Sequence, residues 1–376
     1  MKRLVLLGGG HSHVEVVRRF GLRPLHDAQA LLVSAEHQTA YSGMLPGYIA
    51  GHYAFSDCHI ALEPLCDAAD VRFRLGRARH IDTGRRLVHL EDGTTLDYDI
   101  LSVDIGAVPD TDAVPGAHEY GVPVKPLSSF VSAWSGILAS ARRAGNPLTV
   151  VVVGGGAGGV ELTLAVHRRL SELRAKGSAT LSVHLLTDTS SILPDHSTAT
   201  RRKLERILRE RAIAVHTQNR VTAIDGTTVF SQHGVPLKAD HVMITTGASG
   251  PRWLASTPLR IDTRRFVVVN AALQSVSHAE VFAAGDVASI EGYAIPKSGV
   301  YAVREGPVLA ENLRRALASQ PLVRYVPQRH TLALISTGNR YAVASWRGFA
   351  LEGEWVWRWK DRIDRRFIAR YQALAK

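Results

Sequence analysis

The chain of 376 residues contains only two cysteines, Cys58 and Cys66, and three methionines. Two thiols exclude a disulfide framework, a four-thiolate metal centre and an iron–sulfur cluster, and their scarcity favours a reducing, cytoplasmic setting. Long apolar runs are also missing. Leu4–Leu7, behind Lys2 and Arg3, spans four residues, short of the roughly 7–15 of a secretion signal. The stretch 147–166 has Glu161 as its only charge. Its β-branched block Val150–Val153 followed by glycines reads as a strand, a turn and a helix start, not as a membrane span. Fixed short repeats and low-complexity tracts are absent. Despite 17 histidines, no H-E-x-x-H or comparable ligand spacing occurs, so no metal is predicted. Acid is the scarcer charge, 34 Asp+Glu against 45 Lys+Arg, for a net +11. That excess admits an anionic partner, but the basic residues are scattered without a nucleic-acid motif, so nucleic acid is not expected. With 45% hydrophobic residues the chain is globular, and its length predicts two or three domains.

One pattern occurs twice, 146 residues apart. The first copy is a strand Arg3–Leu7, the turn Gly8-Gly9-Gly10-His11-Ser12-His13, and a helix from Val14 to Phe20. The second is a strand Thr149–Val153, the turn Gly154-Gly155-Gly156-Ala157-Gly158-Gly159, and a helix from Val160 to about Lys176. In such a G-x-G-x-x-G unit the first glycine makes a tight turn and the second admits a pyrophosphate. The third lets helix and strand pack closely, while the helix N-terminus offers amides and a positive dipole end. Both copies have the flanking strand and helix that the motif requires. In the first, His13 replaces the third glycine (Gly159 in the second), which predicts a helix set slightly off its strand. The acid that binds a ribose in this unit is displaced in both copies. Glu36 lies two residues beyond the strand Ala30–Ser34, and Asp188 follows Thr187 after the strand Thr180–Leu186. Both are candidates, and NADH and NADPH stay equally open.

Two dinucleotide folds in one chain point to a flavoprotein with FAD on one and NAD(P)H on the other. Val281–Ala288, VFAAGDVA, ends a strand in Gly285-Asp286, and Gly106 in DILSVDIGAVP and Gly247 in HVMITTGASGP each close a strand. These segments resemble the pyridine nucleotide-disulfide oxidoreductase superfamily over nearly the whole chain, with the lowest specificity beyond residue 326. GGGHSHVEVVRRFG, AYSGMLPGYIAGHY, IPKSGVYAVREGPVLAENL and WRWKDRIDRRF are most similar to the flavoprotein domain fused to selenide,water dikinase and to its stand-alone relatives. That group is itself similar to type II NADH dehydrogenases, and His11 and His13 are part of its glycine motif.

The resemblance implies an α/β fold of two Rossmann-like domains, the second inserted in the first. FAD is expected on 1–110 and 250–325 and NAD(P) on 120–245, with a small α+β region over 326–376. Linkers are marked by Pro109, Pro115, Pro123 and Pro126, and by Gly247, Gly250 and Pro251. Disulfide reductases of the superfamily carry a close cysteine pair where this chain has Thr39–Pro46, TAYSGMLP. Cys58 and Cys66, with seven residues between them, read as small buried side chains, so thiol–disulfide chemistry and sulfide:quinone reduction are both disfavoured. What remains is hydride transfer from NAD(P)H to flavin and then electrons to a small-molecule acceptor, a quinone among the candidates. By likeness, Tyr41, Ser42, Gly43 and Met44 lie along the flavin, and Asp286 contacts its ribityl chain or pyrophosphate. Glu161 approaches the nicotinamide–flavin edge by the same likeness, although an acid there also complements a helix N-terminus. Lys297, expected to open a helix, would set a cation near flavin N1 or O2, with a surface lysine as the alternative. An accessory role beside selenide,water dikinase, with little NAD(P)H turnover, is the competing function.

The tail carries its own signal. From Trp355 to Lys376 there are seven basic residues against Asp361 and Asp364, net +5. Trp355, Trp359, Ile363, Phe367 and Tyr371 recur every fourth position, reading as one aromatic stripe on a basic helix. Residues 354–376 therefore predict either peripheral contact with the inner face of a membrane or a stripe docked on protein, a homodimer included.

Overall fold

The computed structural model describes residues 1–143, 146–174 and 180–374. Along the chain, β1 (Lys2–Leu7), α1 (His11–Leu22), β2 (Ala28–Ser34), β3 (Arg72–Leu75) and β4 (Ile100–Val103) come first. Then follow β5 (Gly121–Pro123), β6 (Leu148–Val153), α2 (Ala157–Arg174), β7 (Leu181–Leu186), α3 (Thr198–Glu210), β8 (Ala214–His216) and β9 (His241–Ile244). The last group is β10 (Val281–Ala283), α4 (Gly299–Leu317), β11 (Ala333–Ser336), β12 (Ala342–Trp346), β13 (Phe349–Gly353) and α5 (Glu354–Gln372).

Two five-stranded parallel sheets result, in the orders β10-β4-β1-β2-β3 and β5-β9-β6-β7-β8. Their centres are built alike. Leu7 pairs with Val33 and Val103 in the first, and Val153 pairs with Leu186 and Ile244 in the second. Parallel strands covered by helices on both faces are apolar throughout, and Leu4–Leu7 and Val150–Val153 are accordingly buried. The glycine turns open at the C-terminal ends of the central strands, where open α/β sheets bind ligands. Between the sheets the two connecting segments pair antiparallel, Val108 with Ser249 and Pro109 with Ala248, each just beyond a positive-φ glycine, Gly106 or Gly247.

The C-terminal region is a three-stranded antiparallel sheet, β11-β12-β13, followed by α5. β13 follows β12 across a tight turn. Arg347 and Gly348 both have positive φ, as a two-residue primed turn requires, so Trp346 and Phe349 stand side by side at the tip. Among the described residues no helix is long and apolar enough to cross a membrane. The predicted end of the second motif's helix at Lys176 lies outside the described residues.

The stripe on α5 is corrected by helix geometry. At 3.6 residues per turn, a strict four-residue spacing advances about 40° per step, so five positions sweep nearly half the helix. Trp355, Trp359 and Ile363 are 52%, 41% and 41% exposed, whereas Phe367 and Tyr371 are buried. The buried face runs instead through Val356, Lys360, Asp364, Phe367, Ile368 and Tyr371. The C-terminal half of α5 is docked: the Tyr371 hydroxyl donates to Glu15 at 3.1 Å, and Glu15 is also paired with Arg18 and Arg19.

Candidate functional site

The first glycine turn is shaped by the residue that follows β4. Gly8 has φ +101°, and a Cβ there would come within 2.3 Å of the Asp104 carbonyl oxygen. The Gly10 amide donates to that carbonyl at 3.0 Å. Ser12 and His13 donate their amides to Asp104 Oδ2 at 2.8 and 3.0 Å. Burial pushes the Asp104 carboxyl up to about 8 against those two amides, with Glu305 and Asp286 adding to the rise. His13 stands where the second turn has Gly159, and its ring occupies the gap between helix and strand. Nδ1 is 2.7 Å from the Gly8 carbonyl and Nε2 is 2.8 Å from Ser102 Oγ. Burial lowers this imidazole to about 4, so it is neutral. The carbonyl can only accept, so Nδ1–H donates to Gly8 and the Ser102 hydroxyl donates to Nε2. In the second turn a Cβ on Gly159 would meet the Gly154 carbonyl oxygen at 1.8 Å. The first helix is therefore set back far enough to admit a ring, as expected.

The Gly285-Asp286 turn faces this helix end. Gly285, at φ +70°, donates its amide to Glu305 on α4 at 2.6 Å. Burial raises Glu305 to about 7, opposed by that amide and by Lys297. Asp286 pairs with Lys125 at 2.7 Å. His11 Nε2 is buried with no hydrogen-bond partner in the protein, and burial lowers its ring to about 4. Two positive-φ glycine turns and one unpartnered buried nitrogen form a cradle that fits FAD. Its binding would involve Gly8 to His13, Gly285 and Asp286. Glu36 is at the mouth, its amide 3.2 Å from Ser34 Oγ and its carboxylate 4.0 Å from Arg77.

The second cradle keeps more open space. Apart from their own local backbone, no atom lies within 4 Å of the Cβ positions of Gly156 and Gly158. Gly154 has φ +124°, with Thr245 Oγ1 2.4 Å from its Cβ position. Thr246 Oγ1, beside Gly247, is buried and unpartnered, a polar contact available to a dinucleotide. Thr187 packs against Gly155 where a strand-final acid would stand, and Asp188 is exposed beyond it.

Four chain segments converge beside these cradles. Glu161 is the fifth residue of α2, beyond its first turn because the helix starts at Ala157 and not at Val160, and it accepts the Ser336 amide from β11 at 2.7 Å. Lys360 on α5 donates to Asp364 Oδ2 at 2.6 Å and to the Gly43 carbonyl at 2.5 Å. Tyr41 donates its hydroxyl to Asp364, stacks on Phe367 at 4.3 Å and meets the His11 ring edge-on at 5.6 Å. Burial raises Glu161 to about 7, with Lys360 and the Ser336 amide opposing and Asp364 adding to the rise. Asp364 is likewise raised by burial, with Lys360 opposing. A carboxyl near neutrality beside a buried ammonium is suited to holding and releasing a proton.

The Pyridine nucleotide-disulphide oxidoreductase family model matches residues 2–306. The chain belongs to that family. It is 25% identical over 366 residues, 93% of this chain and 88% of the other, to a demethylphylloquinone reductase, NdbB, of Synechocystis. It is 22% identical to a type II NADH:quinone oxidoreductase of Staphylococcus epidermidis, covering 84% of this chain and 83% of that one. Among solved structures, the sulfide:quinone oxidoreductase of Aquifex aeolicus superposes with a TM-score of 0.82 at 19% identity, over 100% and 92% of the two chains. NDH2 of Plasmodium falciparum gives 0.80 at 14% identity, over 98% and 97%; both show the fold.

As a member of the pyridine nucleotide-disulphide oxidoreductase family, the protein is an FAD-dependent NAD(P)H dehydrogenase without a redox-active disulfide. Cys58 and Cys66 are free and buried, and burial raises both thiols to about 12. When bound, FAD accepts hydride from NAD(P)H and passes electrons on singly or in pairs. Lys297 precedes the helix instead of opening it: α4 starts at Gly299 with Ser298 as its N-cap. Its ammonium donates to the Ala288 carbonyl and sits 4.1 Å above the Phe266 ring. Tyr41 to Met44 enclose the Glu161–Lys360–Asp364 group from one side, with Met44 fully buried.

Sequence reading did not find Asp104, Glu305, Lys360 or Asp364. Asp104 had a signal, since it is a lone charge closing an apolar strand, LSVDIG. Lys360 and Asp364 had none, because a Lys–Asp pair four apart on a basic helix looks like any solvated pair.

Proposed function

We propose that this protein is an NAD(P)H:quinone oxidoreductase acting at a membrane surface. The observation that carries the reading is the two-sidedness of α5. Its inner face presents Lys360 and Asp364 to the Glu161 and Tyr41 cluster. Its outer face joins the β12–β13 tip in an exposed apolar group: Trp346, Phe349 (73% exposed), Leu351, Trp355, Trp359 and Ile363. Arg347, Arg358, Arg362 and Arg366 flank it in sequence. Exposed aromatic and aliphatic side chains with arginines beside them in sequence are suited to an anionic lipid interface, which is where a lipid-soluble acceptor resides. The names of the relatives, a demethylphylloquinone reductase and type II NADH:quinone oxidoreductases, support a quinone.

In this reading FAD is held by 1–110 and 250–325 and NAD(P)H by 120–245, and the protein works peripherally at the inner membrane face. Quinone reduction to quinol takes two electrons and two protons, so hydride from NAD(P)H must be joined by one further proton. In this reading Glu161 and Lys360 deliver it, and Lys297 adds positive charge on the Asp286 side of the site. Anaerobic titration tests the function: one nicotinamide nucleotide is expected to bleach the flavin, and a short-chain quinone to restore it. Bleaching without quinone reoxidation would overturn the acceptor, and a flavin reduced by neither nucleotide would favour the accessory role in selenium metabolism.

The surface has its own test. The protein is expected to sediment with phosphatidylglycerol vesicles, and Phe349→Ser/Trp355→Ala/Trp359→Ala to lose at least roughly tenfold in binding. Equal binding by both forms would remove the membrane contact. A doubled mass without lipid, lost in the same variant, would show instead that a homodimer covers this patch.

A further inference from the structure

The two dinucleotide folds of this chain are an internal control, and besides His13 in place of Gly159 they differ at the residue that follows the strand beside the glycine turn. Asp104 follows β4 and its amide donates to the Leu7 carbonyl at 2.8 Å; Thr245 follows β9 and donates to the Val153 carbonyl at 2.9 Å. The register of both sheets makes these residues equivalents. In the NAD(P) fold the equivalent is neutral, and its hydroxyl donates to the Val153 carbonyl at 2.8 Å. In the FAD fold it is an acid whose Oδ2 takes two amides of the helix that receives the diphosphate. Its Oδ1 lies 2.1 Å from the Cβ position of Gly10 and 2.4 Å from that of Gly285. The carboxyl is thus wedged between the two turns of the cradle, and it is 2% exposed.

We propose that Asp104 is carried as the neutral acid and that FAD binds together with this proton, so that the cradle accepts the anionic diphosphate only while Asp104 remains protonated. A buried carboxylate beside a diphosphate would set like charges against each other where water cannot screen them. The surroundings give an ionised Asp104 no cationic partner of its own. From α1 it meets the amides of Ser12 and His13, and the His13 ring is neutral and engaged with Gly8 and Ser102. From α4 comes Glu305, and from the turn after β10 comes Asp286, both acidic. The nearby cations are committed elsewhere, Lys125 to Asp286 and Lys297 to the Ala288 carbonyl and the Phe266 ring. Its carboxyl is already raised to about 8, and a diphosphate raises it further. Asp104 is therefore a positioning residue for the cofactor, and it couples FAD affinity to pH.

The test follows free-flavin fluorescence as FAD equilibrates with the holoprotein between pH 6.5 and pH 10. In the unaltered protein, Kd is constant below the Asp104 titration and then rises toward tenfold per pH unit, the slope for one linked proton. Asp104→Asn keeps the shape and a donor but cannot ionise, so its Kd stays flat over the same range. Glu305→Gln leaves the slope in place. A flat Kd in the unaltered protein overturns the proposal. So does a slope that survives in Asp104→Asn, or one that disappears in Glu305→Gln alone. Should Asp104→Asn not fold, calorimetry of FAD binding in two buffers of different ionisation enthalpy decides. Uptake of about one proton near pH 9 supports the proposal, and no uptake overturns it.

Discussion

Gly159→Ala is expected to leave the protein yellow while slowing flavin reduction by NADH or NADPH at least about a hundredfold, the scale on which an ångström of misplacement is felt. The added methyl would stand 1.8 Å from the Gly154 carbonyl oxygen and 2.7 Å from Thr245 Oγ1. The first of these is backbone at the end of β6, so it cannot rotate away; α2 itself must move off the strand. That displacement carries the amides that receive the nicotinamide dinucleotide, and Glu161 with them. The FAD cradle is untouched, because it is assembled from β1, α1 and the Gly285 turn. His13 shows that a helix set back from its strand is compatible with this architecture, but there the ring fills the gap and bonds both sides. Alanine does neither. Stopped-flow absorbance with each nucleotide measures the loss, and retained flavin absorbance confirms an intact first cradle. Reduction at the native rate would mean that α2 moves without cost to nucleotide binding.

Lys360→Met is expected to cost about 3–5 kcal/mol in stability, the range for breaking a buried ion pair from one side. The ammonium is the sole cation bonded to Asp364 among the described residues, and it also holds the Gly43 carbonyl. Without it, Asp364 keeps only the Tyr41 hydroxyl. The loss depends on pH with a definite sign. Lys360 holds down the carboxyls of both Asp364 and Glu161, so its removal raises each further above its unfolded value. A carboxyl raised on folding binds more protons in the folded state, and stability then falls as pH rises toward the folded pKa. Urea midpoints should therefore differ least from the native protein at pH 5 and most at pH 8. Lys360→Met/Asp364→Leu, which removes both charges, should recover much of the difference. An equal deficit at both pH values would assign the loss to packing alone.

The parts legible in the sequence were those set by local backbone demands. The two strand–glycine–helix units, the Gly285-Asp286 turn and the glycines at 106 and 247 each need a conformation or a close approach that side chains forbid, so they leave a fixed pattern. His13 was legible as a departure and its consequence followed. What escaped were groups whose meaning depends on distant partners. Asp104 and Glu305 are 201 residues apart, and their segments meet through the β4–β10 pairing and the packing of α4 on α1. Lys360 reaches Gly43 across 317 residues. The aromatic spacing on α5 was read correctly as a pattern and wrongly as one face, because four residues exceed one helical turn.

The antiparallel pairing of the two connecting segments has an evolutionary corollary. Residues 110–247 leave and re-enter the rest of the chain through one short ribbon, where Val108 faces Ser249 and Pro109 faces Ala248. Paired residues in such a ladder lie about 4.5–5.5 Å apart, a gap that a two-residue turn closes. A gene segment spliced in or out at that ribbon would neither stretch nor reorder a strand of the outer sheet.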